Sequence, residues 1–229
     1  MSILTGTSGF SYKPWIGPFY PAGTQPQDML EFYASRLKAV EINNTFYRMP
    51  KRSVLAGWKA QVPDHFRFSL KASRRITHFK RLKGVGEELH YLYQSLAELE
   101  HTLGAVLYQL PPNMKRDTGR LEEFLDRLPE GRAAMEFRHA SWQDDSVYRL
   151  LKARNVALCI TDDDEDGSSP FVSTADWGYL RLRRSAYDDA ALDQWRERVA
   201  DQDWSETLAF FKHEDEGAGP RLAARFAQS

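Results

Sequence analysis

A chain of 229 residues with 42% hydrophobic and 28% charged side chains is long and apolar enough to bury a sizeable core, which excludes a disordered polymer. Mean hydropathy is −0.57 and no apolar run approaches the roughly 18 residues of a membrane span, so no membrane partner is expected. The net charge of −1 hides a segregation: residues 44–86 hold eleven Lys or Arg against one acid, Asp64, and the remainder is strongly acidic.

In chain order, strands are expected at 3–8, 39–44, 66–72, 105–110, 133–139, 156–162, 178–183 and 207–213. Helices are expected at 26–37, 54–61, 87–103, 118–128, 146–153, 190–199 and 219–227. The first helix carries an apolar stripe of Met29, Leu30, Phe32, Tyr33 and Leu37. No linker or repeat interrupts the alternation, so one domain over residues 1–229 is expected. Eight strands alternating with helices close most simply into an α/β TIM-type (β/α)8 barrel, with an open doubly wound sheet as competitor. Gly6-Thr7-Ser8-Gly9 is neither a dinucleotide fingerprint nor a P-loop, which leaves the open nucleotide-binding sheet unsupported. Phe10 stands where a nucleophile elbow needs its last glycine, so Ser8 is not expected to be a nucleophile. No secretory leader follows Met1, and the expected address is cytoplasmic. Cys159, the single cysteine, sits in an apolar run and reads as a buried thiol.

In a parallel barrel the site lies at the carboxyl ends of the strands, where polar residues accumulate here. Alternation places Glu41 and Asn43 on one face of the second strand, and Arg67, Ser69 and Lys71 on one face of the third. Glu136 and Arg138 share a face of the fifth strand; Tyr179, Arg181 and Arg183 share one of the seventh. Gln109, Asp162 and Lys212-His213 close the fourth, sixth and eighth strands. Inward charge must be paired or used, and an excess of bases over the acids Glu41, Glu136 and Asp162 fits an anion held by Arg and Lys. Loops above that end interleave rings and bases: Phe10, Tyr12 and Trp15; Phe46, Tyr47 and Arg48; Arg74, Arg75, His78 and Phe79; His139 and Trp142; Arg184 and Tyr187.

Metal is not expected. Asp162, Asp164, Asp166 and Gly167 begin like a calcium loop, but Pro170 and Ser173 occupy its ninth and twelfth positions. A transition-metal set could draw only on Glu41, His78, Glu136, His139, Asp162 and His213, most of them beside Lys or Arg, with no H-E-x-x-H or cysteine cluster.

The chain resembles, almost end to end, the YecE-like family, a domain of unknown function. The resemblance rests on Gly6-Thr7-Ser8-Gly9-Phe10-Ser11-Tyr12 with Trp15, on Val40-Glu41-Ile42-Asn43-Asn44-Thr45-Phe46-Tyr47, on Phe68-Ser69-Leu70-Lys71-Ala72 with His78, on Gln109-Leu110-Pro111-Pro112, and on Glu136-Phe137-Arg138-His139 with Ser141-Trp142. Trp177-Gly178-Tyr179-Leu180-Arg181 and Phe210-Phe211-Lys212-His213 resemble its last two strands, although many relatives carry asparagines at the positions of Lys212 and His213. The resemblance implies a TIM-barrel-like fold and no established activity. The leading expectation is an enzyme acting on a phosphate-bearing or other anionic small molecule, without a cofactor. Glu41, Glu136, Asp162 and Lys71 are the catalytic candidates. Asn43, Asn44, Tyr47, His78, Gln109, Arg138, His139, Trp142, Arg181 and Lys212 are the substrate-binding candidates. A nucleic-acid-binding protein using the 44–86 segment is the first alternative, and a non-catalytic ligand-binding barrel the second.

Overall fold

A computed structural model describes residues 1–165, 167–212 and 216–228. Strands β1 (Ser2–Ser8), β2 (Ala39–Ile42), β3 (Arg67–Lys71), β4 (Leu103–Gln109), β5 (Ala133–Glu136) and β6 (Ala157–Asp163) follow one another in the chain. The two-residue β7 (Gly167–Ser168) pairs antiparallel with β6, and β8 (Trp177–Leu182) and β9 (Glu206–Phe211) complete the set. Apart from β7, the described strands pair in parallel. β1 joins β2 on one side and β9 on the other, and β5 meets β6 through Ala134 opposite Ala157, so the sheet closes into an eight-stranded barrel. The TIM-type fold expected from strand counting is the fold observed.

Two layers follow from the alternation. Val40, Ile42, Phe68, Leu70, Met135 and Ile160 face outward into the main core, beneath the helices. Leu4, Ala39, Ala105, Leu107, Ala134, Cys159, Trp177, Tyr179, Leu208 and Phe210 fill the barrel itself, small residues making room for three large rings. Cys159 is buried there, and burial pushes its thiol well above the usual range, with the Glu136 charge adding to the shift.

The shell comprises α1 (Met29–Arg36), α2 (Arg52–Ala60), α3 (Gly86–Leu96), α4 (Thr118–Leu125), α5 (Asp145–Ala153), α6 (Asp189–Ala200) and α7 (Ala218–Ala227). Side-chain caps set three of the starts: Asp117 accepts from Arg120 N–H at 3.0 Å, Asp144 from Ser146 at 2.9 Å and Asp188 from Ala191 at 2.8 Å. Among the described residues no helix is long and apolar enough to cross a membrane.

Departures from expectation lie at the carboxyl ends of strands and, in one case, just before the amino end of β4. Strands expected at 39–44 and 133–139 stop at Ile42 and Glu136, because the following residues turn into 3₁₀ segments at Asn44–Phe46 and Ala140–Trp142. A π-turn spans Arg75–Phe79. The single helix expected at 87–103 ends at Leu96 and gives way to a 3₁₀ stretch at Ala97–Thr102, in which Glu100 takes φ 46°.

Candidate active site

Inside the mouth, two carboxylates share one guanidinium. Arg181 Nη2 donates to Glu41 Oε1 at 2.9 Å and Arg181 Nη1 to Glu136 Oε2 at 2.6 Å, and all three side chains are buried. Glu41 also accepts from Ser8 Oγ (2.8 Å), Asn43 Nδ2 (3.0 Å) and Tyr179 OH (2.7 Å), while Tyr179 OH lies 2.6 Å from Ser69 Oγ. Glu136 accepts from Gln109 Nε2 at 2.7 Å, and Arg183 approaches it at 3.6 Å while pairing with Asp163 at 3.3 Å. Burial pushes the carboxyls of Glu41 and Glu136 up, but Arg181 and these hydrogen bonds outweigh it, so both lie below the usual carboxylate range. Burial lowers Arg181, yet the two carboxylates hold its pKa well above that of a free guanidinium.

Lys71 stands apart from this pairing. Among the described residues no ion pair within 4 Å holds its half-buried ammonium, which lies 4.4 Å over the Phe46 ring. Burial, with Arg181 adding repulsion, brings its amine down to about 8 although Glu136 and Glu41 pull the other way. His78 packs edge-on against Phe46 at 4.8 Å with Nδ1 2.9 Å from Thr77 Oγ1. Burial and then the positive field of Lys71, Arg138 and Arg81 press its pKa below the ordinary value, keeping the ring neutral.

The family profile described as "Protein of unknown function DUF72" matches residues 4–229. The chain belongs to the DUF72 family. It is similar to the UPF0759 protein YecE of Escherichia coli strain K12, 31% identical over 140 residues that make up 58% of this chain and 52% of that one. It is also similar to the UPF0759 protein YunF of Bacillus subtilis strain 168, 27% identical over 188 residues, 76% of this chain and 66% of its relative. The chain thus spans about half to two thirds of the length of these curated relatives. A crystal structure of a DUF72 family protein from Thermotoga maritima MSB8 superposes with a TM-score of 0.83 at 25% identity, covering 99% of this chain and 98% of that one.

Four of the residues proposed from sequence for the site have their polar groups or faces committed to contacts within the protein. Asp162 points outward, not into the barrel, since it shares a face of β6 with Leu158 and Ile160. There it accepts from Ser168 (2.6 Å), Tyr187 (3.0 Å) and Trp195 (3.2 Å) and pairs with Arg184 at 2.9 Å. Trp142 is buried, stacked on Phe137 at 4.7 Å, with its N–H donated to the Met114 carbonyl, so it braces the mouth and offers no face to a ligand. Arg181 is no free anion clamp, because its terminal nitrogens are spent on Glu41 and Glu136 and its Nε is buried without a partner. His139 uses Nδ1 to accept from the Ser141 N–H and caps the 3₁₀ turn.

The remaining candidates do converge. Glu41, Asn43, Gln109 and Glu136 form the buried network, Lys71 and His78 flank Phe46, and Tyr47, Asn44, Arg138 and Lys212 are exposed around the rim. Of the residues considered for metal, Asp164 accepts from the Ser185 N–H at 2.6 Å, and Asp166 and His213 lie outside the described residues. Among the described residues, no three His, Cys, Asp or Glu side chains gather to hold a metal ion.

Sequence reasoning passed over Ser8, Ser69 and Tyr179 as site members, although the alternation places Ser69 and Tyr179 inward; Ser8 and Tyr179 donate to Glu41, and Ser69 meets the Tyr179 hydroxyl. A cleft of about 350 Å³ opens beside this shell, lined by Ser8, Phe10, Tyr12, Asn43, Asn44 and Trp58 among others. A groove of about 750 Å³ lies lateral to the buried carboxylates, along α2 and α3.

Proposed function

We propose that this DUF72 chain is an enzyme acting on a phosphate-bearing or otherwise anionic substrate at the carboxyl end of the barrel. The observation that carries this reading is the half-buried Lys71 ammonium, set 4.4 Å over the Phe46 ring with no carboxylate within 4 Å of it among the described residues, on the same ring that His78 meets and with Arg81 adding its positive field there. A group of like charges is stabilised by an arriving anion, and Lys71 and a neutral His78 can each donate to it. With its amine near pH 8, Lys71 is available both as an ammonium that holds the anion and as a neutral base or nucleophile. The Glu41–Arg181–Glu136 network below, two carboxylates on one guanidinium, carries one net negative charge and fixes the strand ends, so that holding the anion falls to Lys71 and the cations of the rim.

Thermal-shift and calorimetric titration with a panel of phosphorylated metabolites tests this, with phosphorus NMR following turnover of any that bind. Binding at low salt that Lys71→Gln weakens at least tenfold is expected. Absence of binding, or equal affinity in Lys71→Gln, would overturn the assignment.

One observation favours nucleic acid as a second reading. Arg74 lies 5.5 Å from the Tyr47 ring and 5.2 Å from the Phe79 ring, and both rings are 67% exposed, so two solvent-facing rings flank a cation, the residue types on which bases stack. Fluorescent oligonucleotides titrated across a salt series should then lose affinity steeply, less steeply in Arg74→Ala. No binding at low salt would leave the small anion alone.

A further inference from the structure

Resting on the reading of the mouth as an anion site, we infer that the adjoining 750 Å³ groove holds the apolar body of the same substrate, which makes that substrate an amphiphilic anion with an aromatic or branched aliphatic part. The groove runs along the 47–51 segment, the first turn of α2 and one face of α3. Its size falls within the range of small-molecule sites.

Exposed large apolar side chains cluster there. Tyr47, Val54 and Tyr91 line the groove at 67%, 42% and 59% exposure, and besides them only Met1 and Phe79 are comparably exposed among the described residues. Rings and aliphatic groups left in water along one concave surface mark a binding surface, since each would gain by being covered.

Two rings in contact lie between the mouth and the groove. Lys71 Nζ lies over the Phe46 ring, the Phe46 ring meets the Tyr47 ring at 5.0 Å, and Tyr47 forms the near end of the groove. Ser73 and Arg75, just beyond Lys71 in the chain, line the same wall. A head group at Lys71 therefore leaves its body with a path along the two rings.

The charges of the groove suit an anion's body. Glu88 is already met by Lys80 at 2.8 Å and by Arg75 at 3.8 Å. Of the other charged lining residues, Arg48 and Lys51 form no ion pair among the described residues, and they oppose the single remaining acid, Glu87. Met49, Pro50, Val54 and Leu92, with the rings of Tyr47 and Tyr91, give the groove an apolar stretch against which the body of such an anion can lie.

The test uses 1-anilinonaphthalene-8-sulfonate, an anion with an aromatic body, titrated by fluorescence into the intact chain. One saturable site is expected. Val54→Glu, which fills the groove from an exposed helical position, and Tyr91→Ser should each weaken it at least tenfold with unchanged circular dichroism. Lys71→Gln, or excess pyrophosphate, should weaken it as well. If Lys71→Gln and pyrophosphate weaken the dye while Val54→Glu and Tyr91→Ser do not, the groove is excluded and the mouth remains an anion site. If only the groove variants matter, head and body do not share one ligand and the inference is wrong. If no variant matters or no saturable site appears, both readings fall.

Discussion

Arg181 carries the strongest consequence of any single side chain. Removing it leaves Glu41 and Glu136 buried without their shared cation, a loss that costs about 3–5 kcal/mol when one partner of a buried pair is deleted. Arg181→Met should therefore lower the urea midpoint by a large fraction of total stability, whereas a free anion clamp would leave it unmoved. Both carboxyls titrate below the ordinary range in the folded chain, so they bind fewer protons than in the unfolded chain as acid is added. Their contribution is complete above the usual carboxylate range and is lost as pH falls from that range through the lowered values of the folded chain. Urea unfolding across that interval should show a steep decline that Glu41→Gln makes shallower. Glu41, Glu136 and Arg181 were legible in the sequence because strand alternation turned them inward; that they spend their charge on one another was not, since pairing across strands 140 residues apart has no local signature. Asp162 was misplaced by taking a strand-end acid as inward, when its parity with Leu158 and Ile160 carries the opposite sign.

At the scale of elements, close approach decides what β1 tolerates. A Cβ on Gly6 would stand 1.8 Å from the Ala39 carbonyl oxygen, so β1 and β2 can pair only if residue 6 has none. Gly6→Ala should cost at least about 2 kcal/mol in denaturant unfolding through overpacking against backbone. Gly57 makes the contrast: it lies within α2 and a Cβ there meets nothing within 4 Å, so Gly57→Ala should stabilise by about 0.5–1 kcal/mol. The eight barrel strands were legible because buried parallel strands read as short apolar runs between turns. Their carboxyl ends were not, because residues such as Asn44 and His139 leave the sheet for 3₁₀ turns whose cause is the local packing of the mouth. Gly167–Ser168 has no apolar pattern from which β7 could be read.

Across the whole molecule, the charge segregation in the sequence is partly undone by folding. Arg52 pairs with Glu98, Lys59 with Glu100, and Arg75 and Lys80 with Glu88, so acids of α3 and of the following 3₁₀ stretch answer part of the basic segment. Of the same segment, Lys71 and Arg81 form no ion pair among the described residues, and both act on His78 at the mouth. A chain-wise sum could locate the basic segment but not say which cations folding would neutralise. The central claim, that the barrel mouth is an anion site built on Lys71, is tested most directly by the rate at which trinitrobenzenesulfonate modifies Lys71. The rate is followed by peptide mass spectrometry from pH 6 to 11 with and without pyrophosphate. The account predicts a midpoint of about 8 and protection by pyrophosphate. A midpoint near the ordinary lysine value of 10.5, with no protection, would contradict it.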